Sequence, residues 1–180
     1  MSISSRRALA VPAIVALTGL LATLPASAGA GGPFVRTSGT LSDLQPATAG
    51  PFDGARAAVQ IVASAKGSHA LLRVRGIDGA DGETFGAHLH AGPCVAGNGA
   101  AALGHYNTDV IAGILPPLNR ITEDTEVWLD ITVDDGAGTA TASVPFMPRP
   151  GARSVVVHAL ATDHHTGLAG ARLACLPVVW

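Results

Sequence analysis

The 180-residue sequence predicts an all-β domain built as an antiparallel sandwich or barrel. Short runs alternate between apolar and polar residues, turn residues separate these runs, and no helical periodicity follows the first 28 residues. The chain contains 22 glycines and 12 prolines, whereas aromatic residues make up only 4% of it. We therefore expect a core of small aliphatic side chains and strands joined by long loops.

The first 28 residues are expected to be a signal peptide that directs export. Arg6 and Arg7 precede an apolar run, and that run ends in the small residues Ala26-Ser27-Ala28. This pattern predicts cleavage after Ala28. The run is short for a retained membrane span, so the mature chain is expected to have none. The predicted organisation is a signal peptide at 1–28, a disordered tail at 29–34 and one folded domain at 35–180.

Eight short strands are predicted in this domain. Ala57–Ala65 and Ser68–Arg75 alternate on either side of a Lys-Gly turn, which predicts a β-hairpin. Glu126–Val133 also alternates strictly, with Glu126 on the outward side. It is expected to pair with Thr139–Val144 across an Asp-Asp-Gly turn. The full set of predicted strands is 35–41, 57–65, 68–75, 85–90, 126–133, 139–144, 154–159 and 172–177.

The segment Phe85–Asn107 has the strongest sign of chemistry. His88 and His90 are two residues apart in a predicted strand, so both imidazoles share one face. A Gly- and Ala-rich loop then returns the chain to His105. Three imidazoles arranged in this way predict a metal site, and imidazole suits copper, zinc, iron and nickel. Taken alone, the His-x-His pair has a second interpretation, an accidental pair on a surface strand.

The charge gives no sign of a nucleic-acid partner. The formal net charge is −2, and no basic stripe or aromatic platform is visible, so such a partner is not expected.

The only two cysteines are Cys94 and Cys175. In an exported protein they favour a disulfide over a pair of free thiols. A copper–thiolate role is the alternative.

Four motifs follow one another along the predicted domain. They are Gly86-x-His88-x-His90, Gly104-His105-Tyr106-Asn107, Val155-Val156-Val157-His158 and Gly170-Ala171-Arg172-Leu173-Ala174-Cys175. Together with the cysteines, they resemble the copper/zinc superoxide dismutase family, in particular its secreted bacterial type. The resemblance extends from Val35 to near the end of the chain. It implies an eight-stranded Greek-key β-barrel and a copper-dependent enzyme whose substrate is the superoxide anion.

The resemblance also implies a role for individual residues. His105 corresponds to the histidine that bridges copper and zinc in the family and that takes part in the reaction. Arg172 corresponds to the arginine that attracts and positions superoxide beside the copper. Cys94 and Cys175 correspond to the disulfide within one subunit. The implied copper ligands are His88, His90, His105 and His158.

The sequence departs from the family at the zinc site. No histidine lies between His105 and His158, so the zinc ligands of the family are missing and zinc is not expected. The later loop, at 163–168, is also short, and both features resemble the copper-only branch. An acidic side chain is then expected beside His105, where it would fix the imidazole orientation and tautomer. Glu126 is the candidate. The alternatives are Glu123 and Asp109.

Two further histidines, His164 and His165, have two interpretations. They lie in a polar loop, where they are either solvent-exposed or ligands of a second metal.

The function implied by the resemblance is dismutation of superoxide outside the cytoplasm. The alternative is a non-enzymatic copper-binding or structural module on a similar barrel, because a fold alone does not carry activity. The sequence makes no prediction of the oligomeric state.

Overall fold

The computed structural model describes residues 34–180. The predicted signal peptide and residues 29–33 of the predicted tail lie outside this range. Phe34, the last residue of that tail, already belongs to the first strand. No helix of the described residues is long and apolar enough to cross a membrane.

The described residues are mainly antiparallel β-strands, which confirms the predicted all-β class. Ten strands are present, and three of them (β2, β5 and β7) have only two residues. Their bounds are β1 Phe34–Thr40, β2 Ser42–Asp43, β3 Arg56–Ser64, β4 Gly67–Arg75, β5 Thr84–Phe85, β6 Ala87–His90, β7 Ile131–Thr132, β8 Ala137–Val144, β9 Arg153–His158 and β10 Arg172–Val178.

The strands form two four-stranded sheets and one small sheet. The first sheet has the order β1-β3-β4-β8, and the second has the order β2-β10-β9-β6. The pair β5-β7 forms the small sheet. The predicted hairpin is confirmed, because β3 and β4 pair antiparallel from Arg56 opposite Arg75 to Ser64 opposite Gly67.

The apolar core contains side chains from both four-stranded sheets. Alternate residues of β3 and β4, including Val59 and Leu72, are fully buried in it. Val155 of β9 and Leu176 of β10 belong to the same cluster. The period of two along each strand explains this arrangement, since every second side chain points to the same face. The opposite face of β6 and β9 is therefore free to carry polar groups.

The predicted strand at 126–133 is wrong in extent and in pairing. Only Ile131–Thr132 forms a strand, and it pairs with β5. The main chain of Val127 and Leu129 instead hydrogen-bonds to β6 residues Leu89 and Ala87. These bonds hold the segment beside β6, and β8 pairs along its whole length with β4. The expected hairpin is reduced to a single bridge across its turn.

One short helix lies between the predicted strands 85–90 and 126–133, where the sequence predicts no element. Helix α1, Thr108–Ile111, is four residues long and follows the His105 motif directly. The side chain of Asn107 caps it by accepting a hydrogen bond from the main-chain N–H of Val110 at 3.1 Å. A single turn of helix leaves no periodic pattern, so the sequence did not indicate it.

Candidate metal centre

Strand β6 places two imidazoles on the face that points away from the core. All four of its residues are buried, and Ala87 and Leu89 belong to the core cluster. His88 and His90 alternate with them and therefore point to the other side. His88 lies opposite Val156 of the neighbouring strand β9. His158, two residues after Val156, shares that face by the same alternation.

The loop after β6 turns back and brings His105 to the same place. Main-chain hydrogen bonds from Ala91 to Gly104 and from Tyr106 to Leu89 pair the returning chain with β6. His105 and His90 form an antiparallel bridge as a result. A 3-10 turn, Gly99–Ala102, lies inside the loop. The third imidazole is therefore held by main-chain bonds close to the two of β6.

Gly86 allows the chain to pack tightly beside this site. A Cβ at this position would lie 2.6 Å from the Cβ of Ala169 and 2.7 Å from the hydroxyl of Thr162. Carbon atoms do not approach so closely without displacing their neighbours. The glycine of the first motif is thus explained by a close approach of two loops, one of which carries Thr162.

The four histidines converge on a single point. One ring nitrogen from each of His88, His90, His105 and His158 lies within 4.8 Å of those of the other three. His88, His90 and His158 are buried, and His105 is partly exposed. Within the range 34–180, this is the one group of metal-ligating side chains that is brought together.

Hydrogen bonds to carbonyl groups define the tautomers of two imidazoles. Nδ1 of His90 lies 3.1 Å from the Leu103 carbonyl oxygen, and Nδ1 of His158 lies 3.2 Å from that of Gly170. A carbonyl oxygen only accepts, so both Nδ1 atoms must carry the proton. In the neutral rings Nε2 is then an unprotonated acceptor. These two Nε2 atoms face each other at 3.2 Å.

A chain of hydrogen bonds defines the tautomer of His88. The hydroxyl of Thr162 lies 2.6 Å from the Asp130 carboxylate and 2.8 Å from Nε2 of His88. Because the single hydroxyl proton goes to the carboxylate, the oxygen accepts from Nε2–H of His88. Nδ1 of His88 is then unprotonated, and it is buried without a hydrogen-bond partner.

Glu126 defines the tautomer of His105. Its carboxylate lies 2.6 Å from Nδ1 of His105, which therefore donates its proton and leaves Nε2 unprotonated. Asn107 and the Trp128 indole donate to the same carboxylate at 2.9 and 2.8 Å. Burial alone would raise the pKa of Glu126, but these hydrogen bonds outweigh it, and the pKa lies below its usual value.

Four unprotonated ring nitrogens thus point into one small space. Lone pairs that face each other at 3.2 Å repel unless a proton or a cation lies between them. The ionised carboxylate of Glu126 adds a negative charge beside the cluster. A buried polar atom such as Nδ1 of His88 also needs a partner. The donor set therefore fits a metal ion held by four imidazoles, and imidazole suits copper, zinc, iron and nickel.

Burial keeps the imidazoles of His88, His90 and His158 neutral well below the usual pKa of histidine. Desolvation lowers the pKa of His158 to about 4 and that of His90 to about 3, and it lowers the pKa of His88 further. Neighbouring imidazoles oppose a second charge and lower all three values. These three imidazoles therefore stay unprotonated, and able to bind a metal, across the physiological pH range.

Acid is expected to destabilise the metal-free protein. In the unfolded chain these histidines gain protons near pH 6.5, whereas in the folded chain His158 and His90 gain them only near pH 4 and 3. The unfolded state thus binds more protons below pH 6.5, and the free energy of unfolding falls as the pH drops from 6.5 to 4. Urea unfolding at a series of pH values measures this slope. His158→Asn should make this slope shallower, because it removes one of the imidazoles with a lowered pKa.

Arg172 lies beside the cluster and is fixed to the loop that carries His105. Its guanidinium donates to the carbonyl oxygens of Gly99 and Leu103. The Leu103 carbonyl also accepts from His90, so one carbonyl links the arginine to a candidate ligand. Leu103 has a φ of 58°, a conformation that is uncommon for residues other than glycine.

The disulfide between Cys94 and Cys175 is present, as predicted. It joins the loop after β6 to strand β10, with a sequence separation of 81 residues and a Cα–Cα distance of 5.6 Å. Cys175 is fully buried in a second, small cluster with Leu44, Ala102 and Val156. No free cysteine remains, so the copper–thiolate alternative is excluded. A disulfide of this kind indicates a non-reducing compartment.

The remaining candidates lie apart from the cluster. His164 is exposed and lies 3.5 Å from the carboxylate of Glu123, and His165 is also exposed. Asp109 forms an ion pair with Arg120 at 2.8 Å. None of these side chains belongs to the histidine cluster, so of the three predicted carboxylates only Glu126 contacts His105.

Two residues that the sequence did not identify interact with His88: Thr162 directly, and Asp130 through the Thr162 hydroxyl. They form the chain of hydrogen bonds to Nε2 of His88. Asp130 lies on the same side of its segment as Glu126, and that alternation was the one available signal. Thr162 lies in a loop with no pattern, so nothing in the sequence indicated its role.

No protein-family model matches this chain, and neither does any curated protein.

Proposed function

We propose that this chain is a copper-dependent superoxide dismutase of the copper-only type. One observation carries the proposal: four imidazoles present unprotonated nitrogens to one point, and a guanidinium lies beside them. The first feature fits a metal ion, and the second fits a small anion. A site that only stored the metal has no need of a cation next to it.

The donor set favours copper over a copper–zinc pair. Four nitrogen donors suit Cu(II), the tightest-binding divalent ion of the first transition series. A second ion on the far side of His105 would need its Nδ1, and this atom donates to Glu126 at 2.6 Å. When bound, copper would supply the one-electron chemistry that converts two superoxide anions and two protons to dioxygen and hydrogen peroxide.

The protein residues prepare the site for an anion and for protons. Arg172 offers a fixed positive charge, because a guanidinium stays ionised at every relevant pH. Glu126 fixes the orientation and tautomer of His105, as carboxylates do for metal-ligating imidazoles. His105 has 18% of its side chain exposed, whereas that of His88 is fully buried. His105 is therefore the imidazole through which solvent protons reach the site.

The proposal includes the eight-stranded Greek-key barrel of this enzyme class. The arrangement of the short strands supports it. Only Leu41 separates β1 from β2, which belong to different four-stranded sheets, so the chain passes from one sheet to the other at this point. If β1–β2 and β5–β6 each count as one bent strand, eight strands remain. Export by the predicted signal peptide is part of the same proposal, and the disulfide supports it.

Metal analysis tests the first step of this proposal. Protein that is reconstituted with both copper and zinc and then dialysed should hold about one copper and little zinc per chain. Elemental analysis measures the ratio, and a superoxide-consumption assay on the same sample measures activity. Tightly bound zinc in equal amount with copper would contradict the copper-only site. Copper-loaded protein without activity would favour the alternative, a non-enzymatic copper-binding module.

A further inference from the structure

The outward face of the first sheet carries four arginines at neighbouring positions. Arg36 lies on β1, Arg56 on β3, and Arg73 and Arg75 on β4. All four are exposed and line one groove of about 410 Å³. The candidate metal centre is built on the second sheet, so this groove is separate from it.

The strand register explains how the groove forms. Ala58 lies opposite Ser38 on one side and Arg73 on the other. The small side chains of Ala58 and Ser38 leave the floor of the groove open, and the longer arginine side chains surround it. Arg36 and Arg75 lie two strands and four residues apart, so their Cα atoms are roughly 17 Å from each other. The positive charge is thus spread along the groove.

No carboxylate balances this charge. The outward positions of the four strands contain no Asp or Glu, and among the described residues these arginines form no ion pair. The first 33 residues contain no acidic residue that could supply one. Arg56 and Arg75 are directly opposite each other, a like-charge pair that destabilises a sheet. Ion pairs among the described residues do not stabilise this arrangement, so the four charges are available to an anionic ligand.

We propose that this groove binds inorganic polyphosphate, a linear polyanion made of linked phosphate groups. The planar guanidinium donates two parallel hydrogen bonds to phosphate oxygens, and the face contains arginines and no lysine. Among the described residues, only one side-chain hydrogen bond engages these arginines, from Arg56 to Thr40 at 3.3 Å. Their other donors are free for a ligand. The spread of the charges requires several phosphates in a row, because a single phosphate meets only one end of the groove.

Binding of inorganic polyphosphate to the purified protein tests this inference. The wild type should bind polyphosphate, with an affinity that falls as salt is added because the charges are exposed. Orthophosphate at the same total phosphate concentration should not compete. The variant Arg73→Gln/Arg75→Gln should lose about tenfold or more in affinity, because two exposed charge-assisted contacts to the ligand are lost. Arg73→Lys/Arg75→Lys should lose less, because the charge remains.

The control variant changes the net charge equally elsewhere. Lys66→Gln/Arg149→Gln removes two exposed cations outside the groove and should keep its affinity within about twofold of wild type. An equal loss in this control would contradict a defined site. Binding to phosphatidylglycerol vesicles without binding to polyphosphate would contradict the proposed ligand.

An NMR measurement on the wild-type protein tests the same inference without any variant, so the misfolding of a variant cannot affect the result. In a titration with polyphosphate followed by NMR, the side-chain Nε–H signals of Arg36, Arg56, Arg73 and Arg75 should shift. Those of Arg120 and Arg172, which have protein partners, should not. Equal shifts of all arginines would overturn the proposal.

Discussion

Replacement of Cys175 by serine is expected to lower the free energy of unfolding by about 4.5 kcal/mol. The disulfide closes a loop of 81 residues, and the loop-entropy relation gives this value for a loop of that length. Without the bond, the unfolded chain gains conformational freedom. The small cluster of Leu44, Ala102 and Val156 also loses its buried sulfur contacts. Urea unfolding of the metal-free protein measures the difference.

The same variant should loosen the loop that returns to His105. Cys94 lies in this loop, four residues after His90, and the disulfide ties it to β10. Hydrogen exchange of the main chain at 91–104 should therefore become faster. Cys94→Ser should have the same effect on stability, because either change removes the same bond. Unchanged stability in both variants, or two free thiols in the native protein by mass spectrometry, would refute the structural role.

Local alternation explains which parts of the fold were predictable from the sequence. The β3–β4 hairpin was predicted because both strands and their turn are adjacent in sequence. The segment 126–133 alternates as clearly, but its partner is β6, almost forty residues earlier. A period of two determines which side chains share a face and not which strand lies beside them. Its pairing therefore could not be deduced from the alternation.

The residues of the metal centre were predictable from the sequence, but their tautomers were not. His88, His90 and the face of Glu126 followed from alternation, and the motifs indicated His105 and His158. The positions of the ring protons could not be predicted, because each depends on a hydrogen-bond partner outside the motif that carries the histidine. Thr162 is 74 residues from His88, and Gly170 is 12 from His158. These partners, which no periodicity reveals, give the cluster its four unprotonated nitrogens.

Replacement of Arg172 by alanine is expected to show whether the protein is an enzyme or only stores metal. Arg172 contributes no metal-ligating atom, so the variant should keep its copper while the rate of superoxide dismutation falls about tenfold. Electrostatic guidance of a charged substrate is worth 10- to 1,000-fold in rate, and a single half-buried cation is expected at the low end. His158→Ala makes the contrast, because loss of an imidazole from the cluster should lower copper content and activity together.

The dependence on salt identifies the cause of the lower rate. The Debye length is about 10 Å at 0.1 M salt, so the attraction between Arg172 and superoxide weakens as salt is added. The wild-type rate should fall with salt, and the rate of Arg172→Ala should change less. Arg172→Lys should recover only part of the rate, since an ammonium lacks the planar fork that donates to Gly99 and Leu103. If Arg172→Ala matches the wild type in both rate and salt dependence, the arginine does not guide the substrate.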